Sequence, residues 1–249
     1  VKSYVCRIKT LKTAQMINPW IEFCKSLDET NLTLSEEKNV IEQFNKVTSE
    51  EFKIHTEIMP APFMGDVHNA SIVILMLNPG YDPKEEKRGF YSEYKHFWKN
   101  EIQHIASIPH LPLFCLDERY CEYSPYWSEK LKPIISAVGK DKVAKNISKI
   151  QFFPYHSKKY KPISKKLLKN EGFEKYLPSQ EYNFQLVREA IYRNAIIVIP
   201  RAVKIWEKAI PELKNYQKKF STNSYGNIIL SEKNLGNGYS AIIENLNQD

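Results

Sequence analysis

Asn78 stands directly after the apolar run Ile72-Val-Ile-Leu-Met-Leu77 and is followed by Pro79 and Gly80. A carboxamide does not exchange a proton at ordinary pH, so its chemistry is positional. It can hold a water or a polar group and set a dipole against developing charge. The same amide can also simply bond its own backbone in a strand-ending turn. Twelve positions on, Phe90 offers an aromatic face, with Tyr91 beside it and His96-Phe97-Trp98 closing the segment. Stacking of a planar base on such a ring is worth roughly 1–3 kcal/mol. Tyr155-His156-Ser157 forms a second polar cluster, in which His156 carries the one side chain that ordinarily switches charge near neutral pH. A third lies at Ser231-Glu-Lys-Asn234.

These groups are useful only if folded segments bring them together. The 72–77 run lacks polar alternation and is rich in β-branched side chains, which predicts a strand at 71–77 buried on both faces. Similar strands are expected at 147–153, ended by Pro154, at 195–199, ended by Pro200, and at 226–230. Helical spacing is expected over 13–27, 35–47, 93–107, 125–138, 180–194, 201–209 and 239–246. Residues 59–70 and 81–92 read as loop. Strands alternating with helices predict a parallel sheet, whose carboxyl ends place the three polar clusters on one rim.

Composition bounds the partners. The chain has 249 residues and a net charge of +7, and residues 142–220 carry 18 Lys/Arg against 6 Asp/Glu. One strongly basic region suits nucleic acid, though a solvated lysine-rich surface reads the same way. The run 157–170 concentrates six lysines, among them Lys158, Lys159 and Lys161. Cys6, Cys24, Cys115 and Cys121 form no Cys-x-x-Cys pair, so neither a metal site nor a disulfide framework is expected. The scattered thiols suit a cytoplasmic protein, no apolar run approaches membrane-spanning length and no signal peptide is read at the start; a monomer that needs no cofactor is expected. No Gly-x-Ser-x-Gly elbow supports a small-molecule α/β hydrolase.

The segment LNPGYDPKEEKRGFYSEYKHFW (77–98) resembles the first active-site motif of the uracil-DNA glycosylase superfamily. It is most similar to the mismatch-specific branch, where Asn-Pro-Gly is followed by an aromatic residue and a His-Phe-Trp-like cluster. The resemblance implies a three-layer α/β/α fold with a central, mainly parallel four-stranded sheet over 59–249, preceded by a helical extension at 1–58. It implies DNA as partner and Asn78 as the group that positions water. Gly80 stands where uracil-specific enzymes place a tyrosine against pyrimidine C5, so the pocket is expected to admit 5-substituted bases. Phe90 and Tyr81 are expected at the base. The family's base-reading Asn has no counterpart in 150–157, leaving Gln151 or Ser148 to stand in, with Tyr155 beside the base and His156 either donating to a base carbonyl or stabilising the departing anion. In the second motif Asn234 matches the polar residue, but no Pro-Ser follows it, so the wedge stays unassigned, with Leu235 as the one apolar candidate. Lys158, Lys159, Lys161 and Ser231 are expected on the DNA backbone. Some relatives remove modified phage bases, such as glucosylated hydroxymethylcytosine, as defence. The expected function is therefore release of a 5-substituted pyrimidine, leaving an abasic site. A uracil or thymine mismatch glycosylase, and an inactive nucleic-acid-binding module of the same fold, are the alternatives.

Overall fold

The computed structural model describes residues 16–224, 226 and 228–248, so Cys6 and the opening residues of the extension lie outside it. Five short strands form one mixed sheet: β1 (Phe63–Met64), β2 (Ile72–Met76), β3 (Ile147–Gln151), β4 (Ile196–Val198) and β5 (Lys219–Phe220), in the order β1-β3-β2-β4-β5. β2, β3, β4 and β5 run parallel, and β1 pairs antiparallel with β3 at one edge. Ile72 to Leu75 are wholly buried, as an apolar run without alternation requires of the middle strand.

Strand order fixes where a site can form. From β2 the chain crosses to β3 on one side, and from β4 it goes to β5 on the other. The carboxyl ends of β2 and β4 therefore flank a point where the connections diverge, which is where open α/β sheets leave a crevice. The ladder between β2 and β3 continues past the strands, with Phe152 N donating to Met76 O and Phe153 N to Leu77 O. From the helix Pro178–Tyr192, Asn183 Nδ2 donates to Gln151 O and Gln180 Nε2 to Phe152 O, so the end of β3 is pinned.

Four expectations are corrected. The sheet has five strands rather than four, and the 59–70 segment read as loop carries β1. None of the described residues in 226–230 is in a strand, and the outer parallel position is taken by β5. Ile228 and Leu230 are buried, and Leu230 N donates to Lys130 O on the helix Tyr126–Val138, so the apolar signal there reported packing rather than pairing. The 81–92 segment is not loop but two short helices, Pro83–Lys87 and Phe90–Glu93, the first capped by Asp82 accepting from Lys84 N. Trp20, Leu32, Val40, Ile41 and Phe44 belong to the same core as the sheet residues, so the described part of 1–58 packs into the main unit. Among the described residues no helix is long and apolar enough to cross a membrane.

Candidate active site

At the end of β2 the Asn78 side chain is held by its nitrogen. Nδ2 lies 3.0 Å from Pro79 O, Ser157 O and Ser157 Oγ. Two of these acceptors are carbonyls, so only the NH2 end of the amide can face them, and the orientation is chemically determined. Oδ1 is left as an acceptor to which no described residue donates. Asn78 thus bonds its own turn and also the loop after β3. Ser157 N donates back to Pro79 O at 3.3 Å, locking the two strand-end loops together.

A cavity of about 560 Å³ opens beside Asn78, within the usual range of ligand sites. Asn78, Gly80 and Tyr81 stand on its wall with Phe90, Tyr91, Trp98, Tyr120 and Trp127, and its polar lining includes Asp82, Glu85, Lys149, Gln151, His156, Lys158, Lys159 and Arg201. Gly80 does not adopt left-handed backbone, and a Cβ built on it meets nothing within 4 Å. Backbone conformation does not require the glycine there, and its surroundings are open. Phe90 is buried, with Trp98, Tyr120 and Tyr91 packed edge-on around it at 5.1–5.6 Å. Tyr81 stacks between His55 and Tyr91, and burial, together with the bond from its hydroxyl to Glu86, pushes the phenol up to about 12.

His156 is not a surface group of the turn. It is 3 % exposed and its Nδ1 lies 2.8 Å from Gly80 O. A carbonyl only accepts, so Nδ1 carries a proton. Burial pushes its pKa down to about 4, against the pull of the Gly80 carbonyl. The expected charge switch near neutral pH is therefore replaced by a neutral strut that fixes the Gly80 backbone.

Of the other sequence-predicted residues, Gln151, Lys158 and Lys159 reach the cavity, with Lys159 ion-paired to Glu51 at 2.6 Å. Tyr155, Lys161, Asn234 and Ser231 do not line it. The Tyr155 hydroxyl donates to Glu37 at 2.6 Å and accepts from Leu34 N, so it faces the N-terminal segment instead. Lys161 lies over the Phe52 ring. Asn234 closes its own loop through Ser224 N and Ile229 O. Ser231 precedes the helix Glu232–Leu235, in which Leu235 is buried and unable to serve as an exposed wedge. The third rim cluster is thus replaced by Arg201, which follows β4.

Sequence reasoning does not find Lys149, Trp127, Tyr120 or Arg201. A single lysine within the apolar 147–153 run is the available signal for Lys149, and Pro200-Arg201 at a strand end is the signal for Arg201. Among the described residues no group of three or more His, Cys, Asp or Glu could hold a metal ion. Comparison with protein-family models, with curated proteins and with solved structures finds no match to this chain.

Proposed function

We propose that this chain is a DNA glycosylase that hydrolyses the N-glycosidic bond of a flipped, 5-substituted pyrimidine and leaves an abasic site. The observation that carries the reading is the Asn78 carboxamide, clamped through its nitrogen with an unused acceptor oxygen, beside a glycine that leaves the cavity open. Oδ1 accepts a hydrogen bond from water and orients it behind C1′ as the bond to the base lengthens. The flipped base stacks against the aromatic wall that includes Phe90, and its C5 substituent occupies the space beside Gly80. Lys158, Lys159 and Arg201 at the rim meet phosphates. The three-layer arrangement of the uracil-DNA glycosylase superfamily, the monomeric state and a cytoplasmic location belong to this proposal, as does a role against modified phage DNA.

A binding-only module is the second reading. It draws on His156, whose pKa burial pushes down to about 4, so this imidazole is only a weak base beside the amide. Duplexes carrying uracil, thymine mismatches, 5-hydroxymethylcytosine or its glucosylated form separate the two, scored for free base and alkali-labile sites. Base release lost in Asn78→Ala with DNA affinity kept supports the enzyme. Intact DNA throughout, with affinity unchanged, supports the module.

A further inference from the structure

Lys149 lies on the inner wall of the cavity, and the reaction as described gives it no task. It is the middle residue of β3 and 4 % exposed. Its register partners are Met64 on β1 and Ile74 on β2, so its side chain leaves the sheet on the face that also carries Met76 and Gln151. Met64, Met76, Lys149 and Gln151 together line the cavity from that face. The Nζ atom is 4.3 Å from the centre of the Trp127 ring. Among the described residues no carboxylate lies within 4.0 Å of it. Burial lowers the Lys149 pKa, Glu101 opposes this only at longer range, and burial favours the neutral form of that carboxyl. Beside Lys149, Gln151 is 7 % exposed and its Oε1 has no hydrogen-bond partner.

A buried ammonium with unused donors and a buried amide oxygen without a donor are both unfavourable on an otherwise apolar wall. A ring edge that offers an acceptor and an N–H side by side satisfies both. We propose that Lys149 is a catalytic residue that takes up the negative charge of the departing base, with Gln151 Oε1 accepting from an N–H of the same edge. This rests on the glycosylase reading and adds the group that the leaving base meets. When the C1′–N bond breaks, its electron pair stays with the base. The oxygen of water bonds C1′, and the proton that water loses ends on the base through solvent. A cation fixed in a water-poor cavity stabilises that anion far better than bulk water does. His156 cannot take this role, because it is neutral and its N–H is committed to Gly80.

Lys149→Met keeps the apolar stem against Trp127 and removes the charge. Base release from the DNA that the wild type attacks falls about 100-fold. The melting temperature holds or rises, because a buried charge without a close partner has gone. A lysine with a purely structural role would lose stability together with activity. A second measurement needs no DNA: calorimetric titration with barbiturate, a pyrimidine that is an anion at neutral pH, and with neutral uracil. The wild type binds barbiturate about tenfold more tightly than Lys149→Met does, while uracil affinity changes little. Equal barbiturate affinity in the two proteins, or unchanged base release in the variant, overturns the role of Lys149. Barbiturate binding that depends on Lys149, in a wild type that releases no base from any DNA, keeps an anion site there and overturns the glycosylase reading instead.

Discussion

Ser157 holds the Asn78 carboxamide at two points, its carbonyl oxygen and its hydroxyl oxygen each accepting from Nδ2 at 3.0 Å. The hydroxyl proton is itself given to Lys159 O at 3.1 Å, so the Ser157 oxygen is free to accept. Ser157→Ala removes one of three acceptors. Such a bond contributes about 1 kcal/mol, which as lost positioning is roughly a fivefold slower base release, read by single-turnover kinetics.

Asn78→Asp puts a carboxylate of nearly the same shape in place of the amide. Here a carboxylate would face the Pro79 and Ser157 carbonyls with no donor to offer them. The variant is expected to be less stable by about 1–3 kcal/mol and no faster than Asn78→Ala. Denaturant unfolding and base-release rates check both statements, and an accelerated Asn78→Asp would contradict the clamp.

Gly80 gives a prediction about size. With open space at its Cβ position and ordinary backbone, Gly80→Ala should leave stability within about 0.5 kcal/mol of wild type. Gly80→Tyr should fill the space beside C5, sparing bases without a 5-substituent and excluding those that carry one. Competition between substituted and unsubstituted duplexes measures the shift.

Much of this arrangement is legible in the sequence. Ile72–Met76 announces a central strand because nothing polar interrupts it, and the turn after it places Asn78 at the rim. What one sequence hides is which distant loops meet. The loop after β3 joins the Asn78 loop through Ser157 and His156, whereas Asn234 turns inward to close its own loop and Arg201 takes the third place. Tyr155 and His156 are neighbours in sequence yet serve different partners, Glu37 and Gly80. Edge strands two residues long, such as β1 and β5, carry too little periodicity to be read in advance.

Two buried groups give opposing pH effects on stability. Burial raises Glu37 to about 7 even though Tyr155 OH, Ser179 N and Ser179 Oγ all donate to it. A raised carboxyl favours the folded state at low pH, and that contribution is lost as pH rises from about 4.5 to about 7. His156 is depressed from 6.5 to about 4, so its contribution is present above the first value and lost as pH falls toward the second. Glu37→Gln removes the first effect, worth on the order of 3 kcal/mol. The stability difference between the variant and wild type should then shift in the variant's favour as pH rises from about 4.5 to about 7. Urea unfolding across that range decides it.

At the rim, Lys158→Ala with Arg201→Ala should weaken DNA binding regardless of sequence. The slope of log affinity against log salt should fall by about 1 for each phosphate that is no longer neutralised. Lys161→Ala, off the cavity and over Phe52, should leave the slope unchanged. Fluorescence anisotropy at several salt concentrations reads all three substitutions.

The most direct measurement sets wild type beside Asn78→Ala on duplexes carrying one modified pyrimidine, with released base quantified by mass spectrometry and DNA affinity measured in parallel. Wild type is expected to free a 5-substituted pyrimidine, Asn78→Ala to be slower by at least about 100-fold, and both to bind the duplex alike. Base release at the same rate in both proteins, or from neither on any duplex, would contradict this expectation.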